Sequence, residues 1–114
     1  MQILKTLAPL PALLVFTLSL TASDARWFQD MDAAKTSAAK AKLDLLLDFT
    51  GSDWCGWCIR LEQEVFSQEA FQDAAPKDFV LMKIDFPRDQ TSITPAVRAQ
   101  NEKLSQQYGI EGYP

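Results

Sequence analysis

Two cysteines separated by two residues, Cys55 and Cys58, carry the most distinctive chemistry in this sequence. At that spacing they can close a small, reversible disulfide ring. One thiolate can then attack a foreign disulfide while the second cysteine resolves the mixed disulfide. The chain has 114 residues and no histidine. That excludes a Ser-His-Asp triad, a Cys-His nucleophile pair and an H-E-x-x-H zinc site. Two cysteines cannot complete a Cys₄ or Cys₂His₂ metal site within one chain, so no metal is expected. No dissociable cofactor is expected beside the redox-active disulfide itself. Haem attachment through C-x-x-C-H fails because Ile59 follows Cys58. An inert stabilising disulfide and a zinc site shared by two chains remain as alternatives. The inert disulfide is the weaker reading, because so short a loop gains little chain entropy on closure.

The pair needs a scaffold, and the flanking pattern supplies one. Leu43 to Phe49 is an apolar run broken only by Asp44 and Asp48, the signature of a strand buried on both faces. Thr50-Gly51-Ser52-Asp53 is rich in turn formers. From Cys55 to about Phe71 the spacing is helical: Ile59, Glu62, Val65 and Phe66 form a stripe toward the sheet, with Arg60, Gln63 and Glu64 toward water. Cys55 therefore lies at the positive end of a helix dipole, among free N–H groups, where a thiolate is favoured. This makes Cys55 the expected nucleophile and Cys58 the expected resolving cysteine.

Pro76 is expected to close this region. Phe79 to Phe86 is a second strand candidate, which Pro87 ends. Pro95 suits a helix first turn, and Ala96 to Tyr108 continues with Val97, Leu104 and Tyr108 on one side, until Gly109 stops it. Upstream, Trp27 to Lys42 is alanine-rich and helical in character. Alternating strands and helices predict an α/β fold, with a βαβ unit and a parallel sheet.

Composition bounds the rest. At 47% hydrophobic and 23% charged residues, the chain suits one soluble globular domain. Fifteen acidic against eleven basic residues argue against nucleic acid as a partner. Residues 1–25 have the form of a secretory signal. Lys5 is their only positive charge, Leu7 to Leu20 form an apolar core, and small residues cluster at Thr21, Ala22, Ser23 and Ala25. Cleavage after Ala25 is expected, with Ala22 and Ser23 as rival sites and an uncleaved anchor as the alternative. The apolar core is shorter than the roughly 20 residues that a membrane span needs, so no stable membrane span is expected after cleavage. Export, to the periplasm or beyond the cell, would place residues 26–114 where a disulfide persists.

Several separated stretches resemble the thioredoxin family. Leu45-Leu46-Leu47-Asp48-Phe49 resembles its first central strand with a buried aspartate. Trp54-Cys55-Gly56-Trp57-Cys58 resembles its active-site motif, and Gln106 to Pro114 resembles the approach to its cis-proline. The longer turn from Phe49 to Trp54 is closest to exported relatives with an enlarged loop. The resemblance implies a thioredoxin-like fold. It also implies that Asp48 is the carboxylate that moves the proton of Cys58, where a turn cap is the plainer alternative. Trp54 would shield the disulfide, with ordinary packing as the plainer alternative, and Tyr113 with a cis Pro114 would pair with an extended substrate segment, with a plain turn proline as the alternative. Trp54, Trp57 and Tyr113 together suggest an apolar partner patch.

The implied activity is that of an exported thiol–disulfide oxidoreductase exchanging disulfides with thiols of partner proteins. Its electrons would come from a separate redox partner, which the sequence leaves unidentified. A thioredoxin-fold binding or chaperone-like module with a structural disulfide is the alternative. Two departures refine this expectation. Trp57 stands where oxidising relatives and isomerases carry histidine, which predicts a moderately reducing pair. The sequence also stops at Pro114, before the C-terminal hairpin and last helix of the family. It is therefore expected to be a C-terminally truncated fragment that folds poorly alone.

Overall fold

The computed structural model describes residues 26–114; the expected signal segment, 1–25, lies outside the described residues. The element order is α1 (Met31–Ala41), β1 (Asp44–Thr50), α2 (Gly56–Leu61), a π-helical turn (Glu62–Phe66), α3 (Glu69–Asp78), β2 (Phe79–Asp85) and α4 (Pro95–Gln107). The two strands pair in parallel from Asp44↔Phe79 to Thr50↔Asp85, so the expected α/β arrangement with a helical crossover is present.

β2 is the central strand. On one side it pairs with β1, and on the other with a single parallel bridge from Phe28 to Met82. The Phe28 N–H donates to the Leu81 carbonyl at 2.8 Å, and its own carbonyl accepts from the Lys83 N–H at 2.9 Å. The helix expected from Trp27 therefore starts only at Met31. Asp30 is the reason: its carboxylate accepts from the Ala33 N–H at 2.7 Å and caps the helix there. Upstream of the cap, Phe28 remains extended and packs on the core.

Central position explains burial. Val80, Leu81, Met82 and Ile84 are buried, whereas the leucines of β1 are only half-buried. The expectation that β1 is covered on both faces thus fails. It has a pairing partner on one side only, and Asp48 and Thr50 are its buried residues. Met31, Ala34 and Ala38 press α1 onto the sheet with Val80, Met82 and Ile84, and Leu104 joins from α4. Alanines allow the helix to approach closely. Burying a side chain such as Met82 or Ile84 contributes about 1.5–3 kcal/mol.

The helix expected from Cys55 to Phe71 is divided. After α2, one wider turn carries the Ser67 N–H to the Glu62 carbonyl at 2.9 Å, a five-residue step that rotates the following side chains. Val65 consequently turns outward, while Phe66 packs at a tilt against Trp27 and Phe71. The chain reopens at Gln68 and re-enters α3, within which Pro76 is tolerated two residues before the end. In α4 the Thr94 hydroxyl accepts from the Val97 N–H at 3.2 Å, with Pro95 opening the helix. Buried Asn101 donates to the Asp85 carbonyl at 2.9 Å and ties α4 to the end of β2. Tyr108 is the C-cap, half-exposed and edge-on to Phe49, and Gly109 takes a positive φ of 61° beyond it.

Candidate active site

β1 ends at Thr50, and a tight turn brings the chain onto α2. The N–H groups of Trp54 and Cys55 both donate to the Gly51 carbonyl, at 3.2 and 2.9 Å. Gly51 is required by what covers it: a Cβ there would come 2.6 Å from Cζ2 of Trp54. The indole is fixed from its other end, where Nε1 donates to the Phe86 carbonyl at 2.7 Å.

Asp53 and Asp85 fasten this turn to the chain leaving β2. The Asp53 carboxylate accepts the N–H groups of Arg88 and Asp89, each at 2.9 Å. The bonds from Asp89 and then Arg88 hold its carboxyl below the usual aspartate range. The Asp85 carboxylate accepts from the Ser52 N–H and hydroxyl at 3.0 and 2.5 Å.

Cys55 is the N-cap of α2, just before its first residue, and is joined to Cys58 by a disulfide with Cα atoms 5.2 Å apart. The Cys58 N–H donates to Cys55 Sγ at 3.3 Å. A donor aimed at this sulfur, together with the helix dipole, stabilises negative charge on Cys55 once the disulfide opens. Both cysteines are buried, Cys55 at 8% exposure and Cys58 at 4%. Trp57, between the two cysteines in sequence, is 68% exposed with the Arg60 guanidinium 5.7 Å from its ring. Trp57, Arg60, Leu61, Glu64 and Pro114 line an open cleft of about 430 Å³.

The structure brings the C-terminal stretch to this place. Cys55 Sγ lies 3.7 Å from the Pro114 carbonyl oxygen. Tyr113 packs edge-on against Trp54 and tilted against Phe86, each with centroids 5.5 Å apart. The Tyr113–Pro114 bond is trans, which corrects the expected cis geometry. Trans is the lower-energy isomer of an X–Pro bond unless surrounding structure selects cis, and Pro114 is exposed.

On β1, Asp48 is 8% exposed. Burial pushes its carboxyl up to about 6; the Lys83 charge opposes this, and Glu62 and Asp85 add to it. Lys83 is the strand partner of Asp48, but its ammonium lies 2.8 Å from the Glu62 carboxylate and 5.1 Å over the Trp27 ring. Cys58, Thr50, Glu62 and Lys83 line a small cavity of about 150 Å³.

Glu62, Lys83, Trp27 and Asp53 were not among the site residues expected from the sequence. Lys83 had a legible signal, a charge inside an apolar strand like that of Asp48. Asp53 had none, because its partners lie 35 and 36 residues away. Among the described residues no cluster of His, Cys, Asp and Glu could hold a metal ion.

Comparison with known proteins agrees with this geometry. Disulfide bond reductase DsbH of Chlamydia pneumoniae is 30% identical over 98 residues, which cover 86% of this chain and 58% of that protein. Thioredoxin-related protein DsbJ of the same organism is 29% identical over 88 residues, 77% of this chain and 25% of that one. The chain thus spans less than two thirds of the length of either relative. A solved structure titled DsbH Oxidoreductase superposes with a TM-score of 0.75 at 28% identity, over 89% of this chain and 69% of that chain. The family model described as Thioredoxin-like matches residues 26–114, and this chain belongs to that family.

Proposed function

We propose that the chain is a thiol–disulfide oxidoreductase that exchanges disulfides with cysteine pairs of partner proteins. The observation that carries this reading is the Cys58 N–H directed at Cys55 Sγ, 3.3 Å away at the start of α2, an arrangement that favours a thiolate on the first cysteine. In the reducing direction, the Cys55 thiolate attacks one sulfur of a partner disulfide. A mixed disulfide forms and the partner's other sulfur leaves as a thiolate. Asp48 accepts the Cys58 proton, and the Cys58 thiolate then attacks Cys55 Sγ. The partner leaves as a dithiol and the Cys55–Cys58 disulfide is restored, two electrons having passed to the partner. A separate redox partner must return those electrons.

The reducing direction is supported by the uncharged Trp57 between the cysteines and by a relative named as a disulfide bond reductase. Export is supported by the signal-like composition of residues 1–25. No helix among the described residues is long and apolar enough to cross a membrane. Trp54, Trp57, Tyr113 and Pro114 are assigned to the partner-facing surface, with Trp54 and Tyr113 braced against each other.

The test is insulin reduction in dithiothreitol, with a trapping assay beside it. The chain should accelerate insulin reduction, and Cys55→Ser should abolish the acceleration. Cys58→Ser should accumulate a mixed disulfide through Cys55. Equal rates with and without Cys55 would remove the enzyme reading, and retained partner binding without turnover would favour a binding module with a structural disulfide.

A further inference from the structure

Asp48 and Lys83 face each other in the parallel register of β1 and β2, yet they do not form an ion pair. The only ion pairs among the described residues are Arg60–Glu64 and Lys83–Glu62. Glu62 opens the π-helical turn one helical turn after Cys58, and its N–H donates to the Cys58 carbonyl. Its carboxylate takes the Lys83 ammonium at 2.8 Å, and the Trp27 ring accepts the same cation from 5.1 Å. Lys83 is therefore held by an acid and an aromatic face together.

We propose that Glu62 is a positioning residue that draws the Lys83 ammonium away from Asp48 and so leaves the Asp48 carboxyl without a cationic partner. The charged groups acting on Asp48 are Lys83 and Asp85 from β2 and Glu62 from the π-helical turn. The disulfide itself is uncharged. Of these groups only Lys83 favours the ionised form, and a cation moved from a distance into contact lowers a carboxyl further. With Lys83 engaged elsewhere, Asp48 keeps its proton into the range where a carboxyl can take up and release protons near neutral pH. The consequence for Cys58 rests on the oxidoreductase reading above; the placement of Lys83 does not.

The experiment is a ¹³C NMR titration of the Asp48 carboxyl in the full oxidised chain. The variants are Glu62→Gln, Lys83→Met and the double substitution. The Glu62 side chain is 44% exposed, so Gln is expected to preserve the fold, as the amide spectrum of each variant will show. Glu62→Gln should lower the Asp48 midpoint by about one pH unit, a tenfold change in proton affinity. Removing a nearby negative charge would by itself lower the midpoint, so the decisive comparison is the response to Lys83→Met. That substitution should raise the midpoint more in the Glu62→Gln background than in the wild type, because there Lys83 has moved onto Asp48. Equal rises in the two backgrounds would overturn the proposal. The titration needs no turnover. A chain inactive on insulin that showed the unequal rises would lose the enzyme reading and keep this one; an active chain with equal rises would do the reverse.

Discussion

The Cys58 N–H points at the Cys55 sulfur, 3.3 Å away, and makes Cys55 the N-cap of α2. This relationship distinguishes two cysteines that are otherwise similar. After reduction the N–H favours negative charge on Cys55, whereas Cys58 lies deeper, at 4% exposure. Iodoacetamide should therefore alkylate Cys55 first, with a pH midpoint below that of an unperturbed cysteine. Mass spectrometry of the singly alkylated product checks this, and preferential labelling of Cys58 would contradict it.

Asp48 links the site to stability. Its folded value of about 6 lies above the usual 3.8, so between these values the folded chain holds a proton that the unfolded chain has released. Stability from this group is consequently highest below about pH 4 and falls as pH rises through 6. Asp48→Asn removes the penalty. Allowing for solvent screening, the variant should be more stable by about 2 kcal/mol at pH 7.5, with little difference at pH 3.5. Urea denaturation of the oxidised protein at the two pH values reads the effect. Insulin reduction by the same variant should drop about 100-fold, the scale of a lost proton acceptor.

Trp57 carries no charge to stabilise the Cys55 thiolate. Trp57→His supplies one when protonated, which favours the dithiol state and should raise the reduction potential. The wild-type pair is expected near the thioredoxin value of about −270 mV, far from the roughly −120 mV of a strong oxidant. Equilibration with glutathione measures both proteins, and an unchanged or lower potential in the variant would refute the assignment.

Gly51→Ala tests the turn. Its new Cβ would meet the Trp54 ring at 2.6 Å from Cζ2, and the indole cannot withdraw without losing its bond to the Phe86 carbonyl. The cost should be about 1–3 kcal/mol, seen as a lower thermal midpoint together with a changed tryptophan emission. An unaltered melt would show that the ring moves freely.

Much of the scaffold was legible because its signals are local. The apolar runs marked β1 and β2, Pro95 marked the start of α4, and Gly109 marked its end. Asp48 was singled out by the family resemblance, and a charge within an apolar strand, costly without a reason, agreed with it. The start of α1 was misplaced because the alanine pattern masked a strong cap at Asp30. The break after α2 was missed because a π-helical turn has no composition of its own and keeps apolar spacing nearly helical.

By itself the sequence determined the cysteine pair, its place between a strand and a helix, and the family that several separated stretches resemble. These follow from residue type and from spacings of a few residues. Only the tertiary structure decided which carboxylate Lys83 serves, since Asp48, its strand partner, and Glu62, its ion-pair partner, lie 35 and 21 positions from it. It also decided that Asp53 and Asp85 fasten the active-site turn to the chain leaving β2, and that β2, not β1, is the covered strand. Pairing and burial at that range depend on which elements pack together, and local pattern carries no record of that.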